Sequence, residues 1–203
     1  MTSSRWLAAF GVAVLVLHHL GSIAGPSGGF GAAGSGTQWV DWLDLLTPYL
    51  VVGPALLALA ASAADRTSWL VAALGALAYA SGHGIHLAAN SISNAQGDAA
   101  PTHLWDELVG HAVWYAGLAL IVIALARSVE PKPTVTGWVL AVGVGLTWAT
   151  NGLGADGLVV PMLIAALALA VWGWTRRGRS AGRLLLVAYG VASPVLLVGA
   201  VLG

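Results

Sequence analysis

Residues 103–127 read H-L-W-D-E-L-V-G-H-A-V-W-Y-A-G-L-A-L-I-V-I-A-L-A-R, and this stretch decides the fold. Residues 112–126 carry no charge at all. With the turn before them they make an apolar run of the length, about 20 residues, that a bilayer-spanning helix needs. The same stretch opens with two histidines and two adjacent carboxylates, so apolar span and polar chemistry lie on one segment.

Outward from this segment the pattern repeats. Six more apolar runs fall at residues 6–24, 45–64, 68–89, 134–150, 158–174 and 184–202. The sequence therefore predicts an all-α integral membrane protein: one domain over residues 1–203, about seven transmembrane helices and short loops. Composition agrees. Apolar residues make up 58% of the 203 and charged residues 8%, against about 25% charge in a soluble domain. Such a chain cannot clothe itself in a polar surface. It has no basic face for nucleic acid. There is no cysteine, which removes disulfides, thiolate ligands and cysteine nucleophiles.

The eight basic residues are Arg5, Arg66, Arg127, Lys132, Arg176, Arg177, Arg179 and Arg183. With seven spans they all fall on one side, and the positive-inside rule then predicts a cytoplasmic N-terminus and an outer C-terminus. The expected location is a bacterial or archaeal plasma membrane, with the active face outside. Segment 1 has some marks of a signal peptide: Arg5, an apolar run over residues 6–17 and small residues at Ser22 and Ala24. The His18-His19 pair favours a retained helix. A Gly-rich outer loop follows at about residues 21–37, with seven glycines in residues 21–36. It is expected to hold no single conformation, and reads as an interfacial linker or a lid.

Ionisable groups inside a membrane segment are costly and mark function. Here all six histidines fall in the outer halves of segments 1, 3 and 4, or at their outer boundary: His18, His19, His83, His86, His103 and His111. In segment 3, Tyr79, His83, His86 and Asn90 recur at steps of four, three and four, so they share a helical face. Gly82 and Gly84 beside them predict a close helix approach. In segment 4, His103, Glu107 and His111 recur at steps of four, with Asp106 on the adjacent stripe. Asp41 and Asp44 precede segment 2 as interfacial residues or as the entrance of the site. Asn151 and Asp156 read as part of an outer turn. Trp105 and Trp114 flank the polar faces and would bound a lipid-sized pocket.

Imidazole and carboxylate without thiolate is a ligand set for Zn, Fe or Cu(II). The expected ligands are His83, His86, His111 and His103. Glu107 or Asp106 would serve as general base, Asn90 as an oxyanion donor, and His18 or His19 would complete the site. The reading is a metal-dependent membrane enzyme, hydrolase or oxidoreductase, acting on a lipid or amphipathic substrate at the outer leaflet. Hydrolysis is favoured because one mononuclear site would have spare acid and base groups. Two alternatives stand: a heme- or metal-binding electron-transfer protein, whose heme needs two axial histidines, and a non-catalytic subunit of a larger membrane complex. Ion transport is disfavoured, because the inner halves of the segments offer no polar route.

Ser81, His86 and the Asp106-Glu107-Leu108 run, with seven spans, resemble part of the alkaline ceramidase and adiponectin-receptor type of membrane hydrolase. The resemblance covers segments 3 and 4 and implies a zinc held by three histidines, with a serine and an aspartate nearby. That family takes two of its histidines from a late helix. Residues 112–203 contain none, so any metal here needs a different histidine set.

Overall fold

The structure, a computed structural model, describes residues 2–97, 99–155 and 157–202; Asp156 lies outside them. It is all-helical apart from one short hairpin. The longer helices are α1 (Ser3–Leu17), α4 (Thr47–Ala60), α5 (Arg66–Gln96), α7 (His111–Ser128), α8 (Val135–Gly154), α9 (Val159–Thr175) and α10 (Ser180–Leu202). Short helices α2 (Leu20–Ala24), α3 (Trp39–Asp44) and α6 (Ala100–His103) extend α1, α4 and α7. Each predicted segment overlaps one of the longer helices. Among the described residues, four helical runs are long and apolar enough to cross a membrane: Trp39–Ala60, Arg66–Gln96, Ala100–Ser128 and Ser180–Leu202. Helices α1 and α9 are apolar but shorter.

Side chains facing away from the bundle are themselves apolar. Leu70, Leu74 and Leu77 on α5, Ile164 and Val171 on α9, and Leu197 and Val198 on α10 are all exposed. In water such an exterior would aggregate, whereas hydrocarbon is a good solvent for it. Aromatic side chains gather in the interior, where Tyr79, Trp114, Tyr115, Trp148 and Tyr189 lie buried beside aliphatic residues such as Leu59, Ile121 and Leu196.

The helices approach closely because glycine lines their contacts. A Cβ on Gly75 would strike the carbonyl of Gly117, and one on Gly82 the backbone of Trp114. One on Gly110 would strike the backbone of His86, and one on Gly117 that of Tyr79. Small residues let backbones touch where lipid offers no hydrophobic drive to association. These four weld α5 to α7 in antiparallel register. Gly84, also expected at this interface, faces open space. Gly11 meets Leu140, Gly143 meets Leu15, and Gly145 meets Ala188, so α1, α8 and α10 run parallel.

Two ion pairs tie one end of the bundle. Arg127 at the end of α7 reaches Asp65 before α5 at 3.4 Å, and Arg179 reaches Glu130 at 2.8 Å. Asp65 caps α5 by accepting the Ser68 backbone N–H at 2.7 Å. That bond, with Arg127 beside it, holds the Asp65 carboxyl below the usual carboxylate range. The histidines lie at the opposite end.

Several boundaries differ from the sequence expectation for identifiable reasons. Segment 1 breaks at His18-His19 because the His19 ring donates through Nδ1 to the Leu15 carbonyl at 2.8 Å, ending α1. The Gly-rich loop is ordered. It forms a helical turn at Gly25–Ser27 and an antiparallel hairpin of β1 (Ala32–Gly34) with β2 (Thr37–Gln38). Its glycines supply the left-handed backbone these turns need, with φ of 58° at Gly28 and 67° at Gly29. Helix α5 runs 31 residues, well beyond the predicted end at 89, because no breaker precedes Gly97.

Candidate metal centre

Three side chains converge where α5 meets the start of the α7 rod. One ligand atom each from His86, Asp106 and His111 lies within 4.8 Å of the others. His86 Nδ1 and Asp106 Oδ1 are in direct contact. The rings of His86 and His111 stand 4.5 Å apart, centroid to centroid.

The local fold that produces this is a π-helical turn, Leu104–Gly110, between α6 and α7. A π turn inserts an extra residue per hydrogen-bonded ring and recurs at functional sites. Here it shifts the stripe. The α-helical spacing pairs Glu107 with His111, and the two do lie 3.8 Å apart; the widened turn also carries Asp106 to His86. Gly110, ending the turn, lets α5 come in to backbone contact beside His86.

The widened turn also sets the His111 tautomer. Its Nδ1 lies 2.9 Å from the Asp106 carbonyl and 3.2 Å from that of Glu107. Carbonyls only accept, so Nδ1 carries the proton and Nε2 keeps its lone pair for a metal. Such outer hydrogen bonds orient metal-binding imidazoles generally. A single ion with bonds of about 2.1 Å spans donors no more than about 4.2 Å apart. The three ligand atoms, within 4.8 Å of one another, are spread close to that limit.

The two histidines of the triad border a polar cavity of about 320 Å³, while Asp106 is buried behind them. The cavity is lined by His86, His111, Glu107 and Asn90 together with His18, His19, Asp41 and Asp44. The Gly-rich loop thus delivers α3 and its two aspartates to the cavity, where they act as wall rather than distant interface. Asp41 is buried and accepts the Gln38 backbone N–H at 2.8 Å. Asn151, expected in a turn, lies in α8 and lines the same cavity.

Other expected ligands have different partners. His83 is buried and its Nε2 donates to the Asp44 carbonyl at 2.9 Å, so it fastens α3 to α5. His18 Nε2 shares a hydrogen bond of 2.6 Å with the Tyr79 hydroxyl. His19 Nε2 lies 3.2 Å from the Thr150 hydroxyl. His103 is exposed at the end of α6 and outside the triad. Ser81, named by the resemblance, is exposed and does not line the cavity.

Trp114 is buried at the centre of this assembly rather than at its rim. Its ring lies 4.7 Å from His83, 5.0 Å from His18 and 5.5 Å from both His86 and His111. Sequence reading recognised Trp114 as a flank but missed Asp44 as a histidine partner. The only signal for Asp44 was its spacing from Asp41 at the end of the Gly-rich loop. Set against known proteins, the chain matches no family model, no curated protein and no solved structure.

Proposed function

We propose that this protein is a metal-dependent membrane enzyme that hydrolyses a lipid or amphipathic substrate. One divalent ion, zinc or iron with copper as a further option, sits on His86, Asp106 and His111. The observation that carries this reading is the convergence of those three ligand atoms beside a polar cavity that His86, His111 and Glu107 line. A catalytic metal site keeps one position open beside three protein ligands, and the cavity supplies that opening.

The ion would act as a Lewis acid and acidify water at the open position. Of the carboxylates lining the cavity, Asp41 and Asp44 accept hydrogen bonds from Gln38 and Thr47, and Glu107 would take the proton as general base. Asn90, which also lines the cavity, can donate to a developing oxyanion. Asp106 serves as a ligand in this scheme, which leaves Glu107 as the base. The proposed bundle has seven spans with the basic end in the cytoplasm, so the cavity faces outside.

Heme is less well supported. Axial imidazoles on one iron have centroids about 6 Å apart, from the metal–nitrogen bonds plus the ring radii. His86 and His111 stand closer than that, at 4.5 Å.

The test is elemental analysis of detergent-purified protein with an absorption spectrum of the same sample. The expected result is about one zinc, iron or copper per chain and no Soret band. A Soret band, or no metal in protein never exposed to chelator, would overturn the proposal.

A further inference from the structure

At the end of the bundle away from the metal centre, a second cavity of about 690 Å³ opens between α1, α7, α8 and α10. Its size falls within the range of about 300–1,000 Å³ usual for ligand sites. The walls are apolar, with Phe10, Leu125, Leu140 and Leu185 among them. Arg5 and Lys132 also line it, and both are exposed. Neither is in an ion pair among the described residues. Glu130, the acid nearest Lys132 in sequence, is held by Arg179. The groove therefore joins an apolar interior to two uncompensated positive charges.

Tyr189 forms part of its inner wall, buried, with a hydroxyl that finds no partner among the described residues. It stands nine residues into α10, about 13 Å along the axis. One leaflet of hydrocarbon is about 15 Å deep, so the groove has the length to take most of one acyl chain.

We propose that this groove binds an anionic phospholipid of the surrounding bilayer. Its phosphate sits between Arg5 and Lys132, and one acyl chain lies along Phe10, Leu140 and Leu185 toward Tyr189. A zwitterionic lipid would fill the same groove but leave its own ammonium beside two cations. Juxtamembrane cations attract anionic lipid by a factor of about five each. The site is independent of the metal centre.

The experiment is native mass spectrometry of the full chain from micelles doped with equal amounts of phosphatidylglycerol and phosphatidylcholine. Retention of one phosphatidylglycerol in clear preference is expected. The double variant Arg5→Gln/Lys132→Gln should lose that preference by about twentyfold. Arg176→Gln/Arg177→Gln, which changes basic residues outside the groove at the same end, should keep it. Ala8→Phe with Ala126→Phe, which fills the groove, should release both lipids; helical circular dichroism checks that each variant is folded. Equal retention of the two lipids overturns the proposal. So does a preference that survives loss of Arg5 and Lys132, or one that falls equally with Arg176 and Arg177. Should the groove-filling variant fail to fold, the two charge variants still decide.

Discussion

His83 and His86 sit three residues apart on one helix, yet the structure gives them different work. His83 holds α3 by its hydrogen bond to the Asp44 carbonyl, while His86 belongs to the triad. Replacing His86 or His111 by Ala is therefore expected to lose most bound metal in elemental analysis. His83→Ala should keep it, at lower thermal stability, since it removes a buried imidazole and its hydrogen bond to Asp44 at a cost of about 1–3 kcal/mol. Glu107→Gln should keep metal and lose hydrolysis at least 100-fold. Loss of metal from that variant would instead make Glu107 a ligand. The six histidines and their confinement to three segments were legible from spacing alone. Which of them touch was not, because helical periodicity fixes a face and says nothing of the partner across from it.

Among the elements, the π turn and the glycine seam decide the site together. An α-helical wheel cannot foresee an inserted residue, so the pairing of Asp106 with His86 was hidden even though both residues were singled out. The seam was partly legible: Gly82 was singled out for a close approach, and Gly75 and Gly117 were not. Gly82→Ala places a methyl in the Trp114 backbone. It is expected to destabilise the protein by about 1–3 kcal/mol through overpacking and to weaken metal retention by moving α5 from α7. Gly84→Ala, with nothing within 4 Å, is the control; equal thermal shifts for the two variants would refute the seam. At the other end of α5, Asp65 has a carboxyl pKa below its unfolded value. Its capping contribution is complete above the unfolded pKa and is lost as pH falls through the lower folded one. Asp65→Ala should therefore lower the melting temperature at neutral pH, with the gap to wild type closing in strong acid.

Taken whole, the molecule separates two chemistries by its own length. Apolar composition announced the membrane, and the sorting of basic residues against histidines announced two unlike ends. The order of the Gly-rich loop was illegible, since glycine abundance is the same for a loose chain and for tight turns that require positive φ. Helix α5 connects the ends, and from Asp65 to His86 it rises about 32 Å, close to the hydrocarbon thickness of about 30 Å. With Asp65 anchored at one interface by its polar neighbours, His86 arrives at the other. On the proposed function, the chain would act as a gauge of bilayer thickness, with the metal site at its tip set at the far headgroup level. In short-chain bilayers the tip should stand clear in water, and in long-chain bilayers it should sink among acyl carbons. A membrane-impermeant chelator should then strip the metal fastest from protein in thin bilayers and slowest in thick ones. A rate indifferent to chain length would mean that the bundle tilts or the bilayer yields to preserve the match, so that lipid rather than protein absorbs the difference.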